Sequence, residues 1–524
     1  MNDVAHGDLL RDLRRIVGDQ YVLADQANRE FFSQDVYSHG ELPLAIIQPG
    51  TQAELMEALR AIHPWQIGVA IRGGGMSYTG GYVPQKADEI SVDLRRLNRI
   101  ICVNTQDMYV TVECGVTWKQ LDDALKVVDR RTPYWGPLSG LVSTVGGALS
   151  QGSVFLGSAQ YGPVAESCIG LEVMLLDGTV LPLGSHATSR GPPFMRNYGP
   201  DLMGMFLSDC GAFGIKTCAT LRTIPRAREN AHLSFAFSNE KELLDAMGRI
   251  GRLGVASECF ALNSSLHDLI TKANGLSSDI KFAIQLLKAG GVVSGLRLAI
   301  GLAIAGRKSL RRVPFSLHVS VDGQTGSEIR LKTFQVKSAV GGHGRRMEPS
   351  IPRIIRMQPF TEPTGMLGPN GERWTNVHGI VPHSGAREML VACDDVFKQH
   401  DADMRRLKIV SGYLMCAVGL GSILVEPVLF WPDARELFHD RVLPATYRAG
   451  LQMFPANPDA RQEVAKIRAE LAHAFLTHGA AHFQIGKFYD YQGALRPTSR
   501  ELLRSIKRLV DPETRINPGN LGFD

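Results

Sequence analysis

Residues 69–81 read VAIRGGGMSYTGG: an apolar run enters an arginine and then meets five glycines within nine residues. A loop with this much bare backbone, issuing straight from a strand, limits what the surrounding chain can be. Glycine tolerates positive φ and lets backbone N–H groups approach a ligand with no Cβ in the way. Upstream, PLAIIQPG (43–50) reads as a short strand, and Thr51 followed by Glu54 has the capping-box spacing that starts a helix near Gln52. IGVAIR is a second buried strand, so the loop ends a β-α-β run. A Rossmann turn would put its third glycine at Tyr78 and follow it with a helix, whereas YVPQKADEISVDL reads as a turn and another strand. A P-loop also fails, because Gly486-Lys487 has Ala481 where the upstream glycine belongs and Phe488 after the lysine. Two readings stay open: a nest of N–H groups for an anion such as a pyrophosphate, and a long hairpin connection.

The chain has 524 residues, 44% of them hydrophobic, enough for two or more packed domains. A net charge of +5 is spread along it without dense Lys/Arg stripes, so nucleic acid is not an expected partner. The eight cysteines form no CxxC pair or zinc spacing, which predicts small buried hydrophobes in a reducing compartment and no metal. The N-terminus mixes acids and bases like a cytosolic helix rather than a secretory signal, and no run of about 18 apolar residues is present. A cytoplasmic protein is expected.

More glycine-rich loops follow between apolar strands. YVTVECGVTWKQLDDAL reads as strand, turn and a helix capped near Thr117, and CIGLEVMLLDGTVLPLG as a hairpin turning at Asp177-Gly178. Taken in order, RGGGMSYTGG, VECGVTW, GPLSGLVSTVGG, GLEVMLLDG and GAFGIKTCATL resemble the FAD-binding domain of the vanillyl-alcohol oxidase / p-cresol methylhydroxylase superfamily. RINPGNLGF (515–523) resembles the segment by which such chains return to that domain.

The resemblance implies an α+β fold with three parts: a PCMH-type FAD-binding domain at 1–225, an α+β cap or substrate domain at 226–480, and a return segment at 481–524 that completes the FAD site. It implies that Gly73, Gly74, Gly75, Met76 and Ser77 wrap the FAD pyrophosphate, flanked by Arg72 and Gly80. Pro137, Leu138, Ser139, Thr144, Gly146, Gly147 and Ser150 would follow the cofactor along the second loop, with Gly214, Ile215 and Asn517 closing the site. In many relatives a histidine covalently bonded to flavin follows the third glycine. Here that residue is Met76, and the cysteine of bicovalent relatives aligns at Val142. The position matching a cap-domain histidine falls near Trp374. Noncovalent FAD is expected.

From Arg226 the chain alternates amphipathic helices (EKELLDAMGRIGRLG, GAREMLVACDDVFKQH, DARQEVAKIRAELAHAFL) with strands such as VPFSLHVSVDG, as an α+β cap would. Its apolar, glycine-bearing stretch at 281–312 ends in a basic cluster. That stretch reads either as cap helices or as an interfacial helix on the inner face of a membrane. Hydride transfer to a flavin needs a base for the hydroxyl proton. His378 and His383 in RWTNVHGIVPHSG and His482, Lys487 and Tyr489 in AHFQIGKFYDY are the candidates, each also plausible as an ordinary sheet residue.

Three functions follow from the resemblance. The first is an FAD-dependent dehydrogenase of a small 2-hydroxy acid such as D-lactate, favoured by NYGPDLMGMFLSDCGAFGIKT and AESCIGLEV. The HxGDGNxH metal motif of many such enzymes is missing, so Arg353 or Arg356 would have to hold the acid. The second is oxidation of a para-substituted phenol at its benzylic carbon, weakened by Pro163 where that branch carries an aspartate after Tyr161-Gly162. The third is an inactive flavin-binding partner subunit. The electron acceptor (a quinone, a cytochrome or oxygen) stays open, and the resemblance implies a homodimer.

Overall fold

The computed structural model describes residues 2–266 and 313–523. The stretch at 281–312 therefore lies outside the described residues. Near the N-terminus, β1 (Val22–Leu23), β2 (Ala45–Ile47), β3 (Val69–Arg72) and β4 (Ile90–Asp93) form a sheet ordered β1-β2-β4-β3. Both β2 and β3 run parallel to β4. β2 and β3 are thus parallel on either side of β4, and the crossover joining them is the helix Gln52–Ile62. Its first turn is tied as the spacing predicts: the Thr51 hydroxyl accepts from the Glu54 N–H at 3.1 Å, while the Glu54 carboxylate takes the Gly50 N–H at 2.7 Å rather than that of Thr51. Leu55, Ala58, Leu59 and Ile62 recur at helical spacing and share a core with Ile47, Val69 and Ile90.

A second sheet contains β5 (Ile100–Asn104), β6 (Tyr109–Glu113), β8 (Cys168–Met174), β9 (Val180–Gly184) and β10 (Ile215–Arg222), ordered β5-β6-β10-β8-β9 and antiparallel throughout. β7 (Arg130–Arg131) and β11 (Ile224–Pro225) pair beside it. The β8–β9 hairpin turns at Asp177-Gly178, where Gly178 takes φ +83°. The helix Trp118–Val127 begins with a complete capping box between Thr117 and Gln120.

The remaining strands form one antiparallel sheet: β12 (Glu229–Phe237), β13 (Ala256–Asn263), β14 (Phe315–Gly323), β15 (Arg345–Met347), β16 (Arg373–Asn376), β17 (Gly379–Pro382), β18 (Val410–Val418) and β19 (Ser422–Trp431). Its order is β15-β12-β14-β13-β18-β19-β16, with β17 also on β19. Side chains alternate across such a sheet with period two. On β19, Ile423, Val425, Leu429 and Trp431 join the core built with the helices Glu240–Leu253, Ala386–Gln399 and Pro458–Thr477. Leu424, Glu426, Val428 and Phe430 take the opposite face. The C-terminal segment closes the structure, with Ile516 bridging Val69 in parallel beside β3.

Candidate active site

A cavity of about 400 Å³ lies where the loop after β3, the 137–151 segment, the turn before β10 and Leu424 and Glu426 of β19 meet. Glycine is required here by close approach. A Cβ on Gly74 would sit 2.9 Å from both the Val142 carbonyl carbon and Ser143 Cα, and one on Gly146 would sit 2.5 Å from Cys114 Cβ. Gly75, at φ +69°, also holds a conformation that side chains resist. The two glycine loops are thus pressed together edge to edge, leaving backbone on the cavity wall. A cradle of bare backbone flanked by Ser77, Ser139 and Thr144 suits an extended phosphate-bearing cofactor.

All the cofactor residues expected from sequence line this cavity except Arg72, Gly80 and Ile215. The Arg72 guanidinium instead lies over the rings of Phe31 (4.6 Å), Phe32 (4.7 Å) and Tyr82 (5.0 Å). The Gly80 N–H is taken by Asp35 at 2.7 Å, and Ile215 is in the core of the first sheet. Asn517, from the return segment, accepts from the Ile71 N–H at 2.7 Å and donates to the Gly211 carbonyl at 2.9 Å, joining three chain segments at the cavity wall.

None of the five expected catalytic side chains lines the cavity. His378, between β16 and β17, is buried, stacks on Phe483 at 4.0 Å, and gives its backbone N–H to the Tyr489 hydroxyl at 2.8 Å. Burial pushes its imidazole down to about 3. His482 stacks on Tyr489 at 3.8 Å, and its Nδ1 donates to the His378 carbonyl at 2.8 Å. His383 packs against Gly248 and Gly251 of the helix Glu240–Leu253. Lys487, lowered to about 8 by burial, turns its ammonium to the Val83 carbonyl. These groups support the sheet and the glycine loop from behind. The cations suggested for an acid substrate are also engaged: Arg356 pairs with Glu258 and Asp322, each at 2.9 Å, and Arg353 with Glu348 at 2.9 Å.

What does face the cavity from the cap is Trp374 and Asn376 on β16, Leu414 on β18, and Leu424 and Glu426 on β19, with Tyr78 and Phe483 opposite or beside them. Tyr78 meets Trp374 edge-on at 4.8 Å. The Asn376 amide donates to Glu426 Oε1 at 2.6 Å. Burial raises the Glu426 carboxyl to about 7, against the lowering effect of that hydrogen bond. Sequence reading passed over Glu426, although a single carboxylate inside the apolar run SILVEPVLFW is the kind of charge that needs a reason. Lys216 also reaches the wall, but Asp209 holds it at 2.6 Å. Among the described residues no group of three His, Cys, Asp or Glu is placed to hold a metal, and no helix is long and apolar enough to cross a membrane.

Comparison with known proteins agrees with this geometry. Residues 43–184 match the family of FAD binding domains. Over 281 residues the chain is 27% identical to a probable mitochondrial D-lactate dehydrogenase of Danio rerio, covering 53% of this chain and 54% of that protein. Over 238 residues it is 26% identical to the mitochondrial D-lactate dehydrogenase (cytochrome) 1 of Saccharomyces cerevisiae, covering 43% and 39%. The chain thus spans about half the length, or less, of these curated relatives. In space it superposes on p-cresol methylhydroxylase with a TM-score of 0.74 at 18% identity, covering 99% of this chain and 97% of that one. The chain thus carries an FAD-binding domain at residues 43–184 and shares the two-part fold of p-cresol methylhydroxylase.

Proposed function

We propose that the chain is an FAD-dependent oxidoreductase that removes a hydride and a proton from a carbon bearing a hydroxyl group. The observation that carries this reading is the continuity of the cavity, which runs from the glycine cradle to Trp374, Asn376, Leu424 and Glu426 of the cap strands. Gly73 to Ser77 and Thr144 to Gly147 would hold the pyrophosphate, with Gly214 and Asn517 along the rest of the cofactor. Bound FAD would supply the two-electron acceptor. The cap residues then bind and orient the donor and keep water from it.

Noncovalent binding is supported by Met76 on the loop, by Trp374 on β16, and by the lack of any histidine among the described lining residues. For the donor, the names of the sequence relatives support a small 2-hydroxy acid such as D-lactate. The cavity wall favours an uncharged alcohol with an apolar or aromatic body, oxidised at the carbon next to the ring. Tyr78, Trp374, Phe483, Leu414 and Leu424 offer it apolar contact, while a carboxylate would meet no free cation among the described lining residues.

Anaerobic titration of the flavin band near ~450 nm, a property of the cofactor, separates the classes. D-lactate, glycolate, D-2-hydroxyglutarate and vanillyl alcohol are added in turn. Bleaching by vanillyl alcohol alone is expected; bleaching by the acids alone would return the assignment to a 2-hydroxy acid.

A further inference from the structure

We propose that Glu426 is the general base that takes the hydroxyl proton, with Asn376 as its positioning residue; this rests on the alcohol-oxidising reading above. On β19 Leu424 and Glu426 line the cavity, and Glu426 stands on one face of the strand between Leu424 and Val428. The register sets β16 beside β19 with Asn376 opposite Val428, one step along from Glu426. That places the Asn376 amide 2.6 Å from Oε1 and leaves Oε2 for a substrate hydroxyl. The other carboxylate on the wall, Glu362, is exposed.

No ion pair engages Glu426 among the described residues, so its charge is not spent on a structural partner. The titratable groups facing it are Tyr78 on the loop after β3, Cys416 on β18 and Tyr489, and burial holds each of them protonated. A carboxyl poised near neutrality in an apolar wall suits general base work, because it can be ionised at working pH and still accept a proton readily.

The step balances. The substrate O–H bond breaks and its proton passes to Glu426 Oε2. The C–H electron pair leaves with its proton as hydride to the oxidised flavin, and the carbon–oxygen bond becomes a carbonyl. Substrate loses two electrons and two protons, one proton to Glu426 and the rest to the cofactor. Asn376 stays neutral and keeps the carboxylate aimed.

The test uses the FAD-loaded full chain carrying Glu426→Gln, Glu426→Asp or Asn376→Ala. Absorbance of the bound flavin is titrated from about pH 5 to 9, spanning the ordinary carboxylate range to well past neutrality. Wild type is expected to show a transition centred near 7 that Glu426→Gln lacks. With a donor that bleaches the wild-type flavin, the reduction rate of Glu426→Gln should fall by about 10²- to 10⁴-fold, with FAD affinity unchanged. The rise of rate with pH through neutrality should vanish with it. Glu426→Asp should keep that rise at a reduced rate, and Asn376→Ala should move it to higher pH, because the charged form loses a donor. A titration that persists in Glu426→Gln, or equal reduction of wild type and Glu426→Gln, overturns the base assignment alone. Failure of every alcohol and hydroxy acid to reduce the wild-type flavin overturns the reaction and the base with it.

Discussion

Replacing Gly74 by alanine tests whether the contact between the two glycine loops builds the flavin cradle. The new Cβ would meet Val142 and Ser143 main-chain atoms within 2.9 Å, and backbone cannot rotate aside as a flexible side-chain end can. Relief must come from spreading the loops, and inserting one carbon into a packed contact costs about 1–3 kcal/mol. Val142 and Ser143 lead directly into Thr144, Gly146 and Gly147 on the cavity wall, so the displacement falls on the wall proposed to hold the cofactor. If the strain is expressed in binding, FAD affinity falls by about 5- to 150-fold, at tenfold per 1.4 kcal/mol. The assay is titration of flavin-stripped protein with FAD, followed by flavin fluorescence, alongside thermal unfolding of the stripped protein. Gly342→Ala is the control, since nothing lies within 4 Å of its Cβ. Wild-type FAD affinity together with a wild-type unfolding midpoint in Gly74→Ala would refute the argument.

Other outcomes follow from particular contacts. Acid precipitation should release all the FAD into the supernatant; flavin retained on the washed pellet would show a covalent link. Arg72→Lys should lower stability to denaturant by about 2 kcal/mol, because an ammonium cannot stack on several rings as a guanidinium does, while the FAD affinity of the folded variant stays unchanged; a matched loss of affinity would return Arg72 to the cofactor. His400 lies between Glu463 at 2.5 Å and Glu470 at 2.9 Å. Burial alone would lower its imidazole, but the hydrogen bonds to both carboxylates raise it above the usual 6.5. Its contribution is therefore fully present below about pH 6.5, the unfolded value, and fades as pH rises through the higher folded value. His400→Gln should accordingly destabilise the protein more at acidic than at alkaline pH in denaturant titrations, and an equal loss at both would rule out the charged clasp.

The glycine loops that line the cavity were legible in the sequence and the carboxylate that faces it was not, for a physical reason. The cradle is built from local patterns: Thr51 and Glu54 start a helix within one turn, the glycines after β3 are contiguous, and Asp177-Gly178 turns a hairpin over two residues. Each is specified by neighbours in the chain. The candidate base depends on a register between β16 and β19, strands separated by about fifty residues, and on which face of β19 looks toward the flavin loops. Histidine was the natural chemical guess, yet in AHFQIGKFYDY the side chains that reach the cavity are Phe483 and Gln484, while His482 and Tyr489 stack behind them. Alternation within the strand could have exposed the difference. In SILVEPVLFW the run Leu424, Glu426, Val428, Phe430 is one face, and a lone carboxylate set in an apolar face is costly to place. Such a carboxylate calls for a role, and the proposed one is to take the hydroxyl proton of the donor.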